Sequence, residues 1–134
     1  MALELDPYRS AFLSLCVLGL LWVVQATVAD LALVRAKHVP GTPIPGGHDS
    51  FVFRAARAHA NTNENVGTWA FVAIACILFG VSAAWVNTLA WVFTGARGVH
   101  MIAYYADIRP LRSGAFAIGL LATGALAVLG LLGR

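Results

Sequence analysis

Polar and apolar residues alternate along this chain in long blocks rather than short periods. Ser10 to Ala29 is uncharged for 20 residues, closed by Arg9 on one side and Asp30 on the other. About 20 apolar residues in a helix cross a bilayer core of about 30 Å, so a first helix is predicted over 10–35. His38 to Asp49 then holds three prolines and three glycines, which forbids a regular element and predicts a connecting loop. Asn65 to Ala96 has no charge over 32 residues. As one helix it would be about 48 Å long, too long for one crossing and too short for two. The conflict resolves if each of two helices takes residues from its polar flank. A second helix is therefore predicted over 51–79, with Ser50 as N-cap, and a third over 83–106, with Gly80-Val81-Ser82 as the tight turn between them. A fourth follows Pro110, over 111–132. The fold class expected is an all-α integral membrane protein, a four-transmembrane-helix bundle in one domain over 1–134.

Composition strengthens this reading. Hydrophobic residues make up 60% and charged residues 11% of the chain, and mean hydropathy is +0.78. Soluble domains carry about 25% charged residues, and disordered chains are poor in hydrophobics. The pI of 9.3 does not indicate nucleic acid, because the basic residues are few and spread between apolar spans. Met1 to Tyr8 lacks the basic residues of a signal peptide, so the first helix is expected to be retained. Cys16 and Cys76 sit in apolar runs and are expected to pack. No set of His, Cys and Glu has metal-ligand spacing, so no metal is expected.

Charge placement gives the topology. Arg35, Lys37, Arg54 and Arg57 flank the first connection, and Arg97, Arg109 and Arg112 flank the third; these are seven of the nine basic residues. With four helices both connections lie on one side, which the positive-inside rule makes cytoplasmic. Both termini are then non-cytoplasmic, and the lack of a targeting segment fits a bacterial inner membrane.

Two clusters could carry chemistry. On a helix, Arg54, Arg57, Asn61 and Glu64 have spacings of 3, 4 and 3 and share a face. Arg97, His100 and Tyr104 have spacings of 3 and 4 and share another. Both lie at the same ends of antiparallel helices and can converge on one polar pocket at the membrane edge. Some of these charges can simply reach lipid headgroups. Glu64, three to four turns inside the second helix, is less easily explained so: a buried carboxylate needs a partner, and Arg97 is the expected one. Guanidiniums suit carboxylates and Glu64 suits an ammonium, so a small zwitterion with two carboxylates fits, with a lipid-soluble second substrate arriving from the bilayer. On the fourth helix, Ala115, Gly119 and Thr123 form a small-residue face of the kind that supports helix association.

At these residues the sequence resembles the MAPEG family, the membrane-associated proteins in eicosanoid and glutathione metabolism. The resemblance lies in R-x-x-R-A-H-x-N-x-x-E at Arg54 to Glu64, R-x-x-H-x-x-x-Y at Arg97 to Tyr104, and Arg109-Pro110-Leu111-Arg112-Ser113 before the last helix. It differs in having Asn65-Val66-Gly67-Thr68-Trp69 where many members have a proline. The resemblance implies a homotrimer of four-helix subunits that binds glutathione between neighbours. Asn61 and Glu64 would hold the glutathione backbone, with Arg54 and Arg57 beside them. Arg97, His100 and Tyr104 would contact its other polar groups, and Arg35 would reach in from the adjacent subunit. The catalytic role falls to Arg112, with Arg109 as runner-up, and Ser113 would donate a hydrogen bond to the sulfur. The implied activity is a glutathione transferase or peroxidase acting on lipophilic electrophiles, or an isomerase using glutathione as a recycled cofactor. The alternative is a non-enzymatic member that binds a lipid or a partner membrane complex. A small transporter fits poorly, because no inverted repeat is visible.

Overall fold

The computed structural model describes residues 4–133; Arg134, the ninth basic residue, lies outside them. Four helices account for most of the chain: α1 (Arg9–Arg35), α2 (Phe51–Leu78), α3 (Ala83–Tyr105) and α4 (Arg109–Leu132). By length and apolar composition, Asp6–Arg35 and Arg109–Leu132 could each cross a membrane. The polar residues that interrupt hydropathy fall on α2 and α3.

The fourth helix starts two residues earlier than the sequence pattern places it. Pro110 stands in its first turn, where a missing N–H is no loss and the fixed φ suits a helix. Arg109 and Arg112 are thus both helical. Ser50 occupies the N-cap of α2, but its side chain makes no capping hydrogen bond. Helix α2 runs unbroken through Gly67, so the segment without proline remains helical.

Helices α2 and α3 each pack against all the others, and α3–α4 is the most extensive pair; α1 and α4 share no substantial contact among the described residues. The core is centred on Trp69, which is fully buried and stacks on Phe93 with ring centroids 4.5 Å apart. Cys76 packs in this core, whereas Cys16 is exposed on α1, contrary to the packing role expected of it: an apolar run in a helix has an outward side as well as an inward one. The small face of α4 is also explained inside the chain. Ala115 and Gly119 are buried, and Gly119 lies against the Arg97 guanidinium of α3.

The end of the bundle that carries the α2–α3 turn is closed by uncharged hydrogen bonds. The Tyr8 hydroxyl donates to the Val81 carbonyl at 2.6 Å. Asn87 accepts from the Ala11 N–H at 2.8 Å and donates to the Pro7 carbonyl at 2.9 Å. Trp91 donates to Ser10 Oγ at 2.9 Å. The opposite end carries the α1–α2 loop, the α3–α4 connection and the charged clusters.

Candidate functional site

Five of the residues singled out from sequence line one cavity of about 270 Å³: Asn61 from α2, His100 and Tyr104 from α3, and Arg112 and Ser113 from α4. Phe116, one turn beyond Arg112, completes it. The cavity lies at the loop end. It is slightly below the 300–1,000 Å³ typical of small-molecule clefts.

Arg97 stands behind this cavity. It is 1% exposed and has no carboxylate at ion-pair distance among the described residues. Its Nη1 donates to Asn61 Oδ1 at 2.8 Å. The rings of Phe93 and Phe116 each lie 5.7 Å from its Cζ, where an aromatic face attracts a cation. Gly119 makes room: a Cβ there would come within 3.2 Å of Arg97 Nη2. Arg97 Nε and His100 Nδ1 are buried without hydrogen-bond partners. Gln25 on α1 and Trp69 in the core also have buried polar atoms without partners among the described residues.

Arg112 is held differently. Its Cζ lies 4.7 Å from the centroid of the Tyr104 ring, and its Nη1 lies 3.0 Å from His48 Nδ1. The Tyr104 ring in turn meets His100 edge-on at 4.9 Å. Sequence reasoning missed His48, which lies in a loop with no periodicity to mark it. Phe116 was also missed, although its place four residues after Arg112 was a usable signal.

The remaining predicted residues lie outside the cavity. Glu64 is neither buried nor paired with Arg97, as the sequence reading expected. It points outward and pairs with Arg57 at 3.6 Å, both side chains about half exposed. The reason is rotational. The inward stripe of α2 includes Ala55, Ala58, Thr62 and Trp69. At about 100° per residue, Asn61 lies about 100° from Thr62 and Glu64 about 160°, so only Asn61 can turn in. Arg54 donates to the carbonyls of His48 and Asp49 at 2.7 and 3.1 Å. Arg109 faces Asp49 at 4.0 Å and Asp107 at 3.9 Å. Arg35 is exposed at the end of α1 and borders a separate groove with Val28, Leu31 and Phe51. Tyr105 turns toward Phe51.

A second opening, about 860 Å³ and almost wholly apolar, runs along α2, α3 and α4 from Thr68, Trp85 and Leu120 to Leu129. On α4 it begins one turn beyond Phe116.

No curated protein and no solved structure gave a significant match to the chain. The family model for the MAPEG family matches residues 10–132, nearly the whole chain, and takes in every residue of the cavity and both charged clusters. The chain therefore belongs to the MAPEG family, membrane helical bundles with glutathione-related functions.

Proposed function

We propose that the protein is a glutathione-dependent transferase or peroxidase that acts on lipophilic electrophiles drawn from the bilayer. The observation that carries this reading is the convergence of Arg112, Ser113, Tyr104 and Asn61 on one cavity. The donor set fits glutathione. Guanidiniums bind carboxylates in a forked geometry, and Arg57 is exposed enough to do so. Glu64 can hold the ammonium. His100 lines the same cavity, and the buried Arg97 guanidinium holds Asn61 from behind it.

When bound, glutathione supplies a sulfur nucleophile for conjugating an electrophile or reducing a hydroperoxide. A free thiol has a pKa of about 8.5, and an adjacent cation lowers it. Arg112 would hold negative charge at the sulfur, and Ser113 would donate to it. Tyr104 keeps the guanidinium at the cavity wall. The apolar opening beyond Phe116 would take the lipophilic partner and keep water away from the sulfur.

The half-exposed Arg57–Glu64 pair sits well inside α2, where a bare charge pair facing lipid is costly. A neighbouring subunit covering this face of α2 relieves the cost, so the working unit in this reading is a homotrimer with Arg35 contributed across the interface. The seven basic residues at the loop end would face the cytoplasm of a bacterial inner membrane.

The test uses detergent-solubilised protein titrated with glutathione, the thiolate being followed by ultraviolet difference absorbance. Wild type should form thiolate near neutral pH. Arg112→Ala should lose it and about 100-fold in turnover, the order seen when a preorganised charge-stabilising donor is removed. Arg109→Ala should retain both. Loss in Arg109→Ala alone would move the role to Arg109. No binding at millimolar glutathione would refute the transferase reading.

A further inference from the structure

The α1–α2 loop places an imidazole on Arg112, the residue that carries the proposed chemistry. His48 Nδ1 lies 3.0 Å from Arg112 Nη1. A guanidinium only donates, so Nδ1 must be the acceptor and the proton of the neutral ring must sit on Nε2. The ring is fixed on three sides: edge-on by Phe53 at 5.1 Å, beside Tyr104 at 6.1 Å, and by Arg112 itself. The backbone is fixed as well, since the His48 carbonyl accepts from Arg54 at 2.7 Å.

The loop is shaped for this delivery. Gly46 has φ 88°, and a Cβ there would meet Ser50 Cβ at 2.8 Å. A short 3-10 turn, Gly47–Asp49, follows and carries His48. The neighbouring carboxylate, Asp49, is directed elsewhere: it is almost fully exposed and faces Arg109 at 4.0 Å. The choice of partner matters. A carboxylate on Arg112 would orient the guanidinium but cancel much of its charge, whereas a neutral ring nitrogen orients it and leaves the charge in place. Arg112 still lines the cavity while bonded to His48, so the contact holds the cation at the cavity wall and does not withdraw it.

We propose that His48 is a positioning residue for the reaction, its neutral imidazole locking the Arg112 guanidinium against Tyr104 without neutralising it. This rests on the reading of Arg112 as the charge that stabilises the glutathione sulfur. The charged and titratable groups facing His48 are Arg112 from α4, Tyr104 from α3 and Arg54 from α2, with Asp49 beside it in the loop and Arg109 reaching Asp49.

Two measurements test it. In the free protein, nitrogen NMR of labelled histidine should show His48 with the proton on Nε2, and Arg112→Ala should shift the Nδ1 signal. A protonated Nδ1 would overturn the positioning role while leaving Arg112's own role standing. With glutathione bound, the thiol pKa should be unchanged within a few tenths in His48→Asn, whose Oδ1 replaces Nδ1 as acceptor. It should rise by about one unit in His48→Leu, which frees the guanidinium, and by at least as much in His48→Asp, which holds but neutralises it. A wild-type pKa in both His48→Leu and His48→Asp would overturn the proposal. A wild type that binds glutathione without forming thiolate would remove the Arg112 reading and this inference with it.

Discussion

The two ends of the bundle use polar groups in opposite ways. At the end bearing the α2–α3 turn, Tyr8, Asn87, Trp91 and Ser10 bond to one another or to backbone groups, and no charge takes part. At the loop end, Arg97 is buried with one amide partner, His100 Nδ1 has none among the described residues, and Arg112 lies against a ring nitrogen of His48. The first end is satisfied and therefore structural. The second keeps buried polar atoms without hydrogen-bond partners among the described residues, on Arg54, Arg97, His100 and Tyr105, and His100 lines the cavity; each such atom costs folding energy. Position in the bundle, not residue type, separates the two settings: Asn87 bonds backbone groups of Ala11 and Pro7, whereas Asn61 accepts from a buried guanidinium.

Arg97→Met breaks this contrast most sharply. Replacing a buried cation that lacks a carboxylate with a flexible apolar side chain removes a desolvation cost, and such replacements are often neutral or stabilising. Thermal stability in detergent should hold or rise. Glutathione affinity should fall at least tenfold, because Asn61 loses the donor that orients it and charge-assisted bonds are worth about 1.5–3 kcal/mol. If stability and affinity fell together, Arg97 would be a structural residue like those at the opposite end.

Asn87→Leu is the complementary change. It removes both the acceptor for the Ala11 N–H and the donor to the Pro7 carbonyl. Stability should drop by about 1–2 kcal/mol, with glutathione affinity unchanged within twofold by calorimetry. A matching loss of affinity would mean that the two ends are coupled along α3.

How much of this could be read in advance follows from what sets each feature. The helices were legible because charge-free lengths must match a bilayer, and Gly80-Val81-Ser82 offered a tight turn at which Asn65–Ala96 could divide. Residues of the cavity were legible as helical spacings, since His100 and Tyr104 must share a side of α3. The direction of Glu64 was misread because a shared face says nothing about which way it points. That is set by the stripe of Ala55, Ala58, Thr62 and Trp69, which packs inward on α2 and was itself present in the sequence. His48 was beyond reach: its position depends on the left-handed backbone of Gly46 and on a contact with α4, 64 residues away.

The smallest expected effect concerns how helices stop. Helices α1, α2 and α3 each end in a left-handed residue, and the N–H that follows it bonds back to the last turn: His38 to Leu33, Val81 to Cys76 and Ile108 to Ala103. At the satisfied end that residue is Gly80, with φ 69°. At the loop end it is Lys37, with φ 52°, and Asp107, with φ 55°. A side chain in this conformation is strained where glycine is not. Lys37→Gly should therefore stabilise the chain by about 0.5–1 kcal/mol, less the greater freedom glycine has when unfolded, and leave glutathione affinity unchanged. Thermal unfolding in detergent reads the first and calorimetry the second. A stability gain with unchanged affinity makes the strain at Lys37 incidental to the site. A loss of affinity would extend the under-satisfied end from the cavity out to the close of α1, next to Arg35.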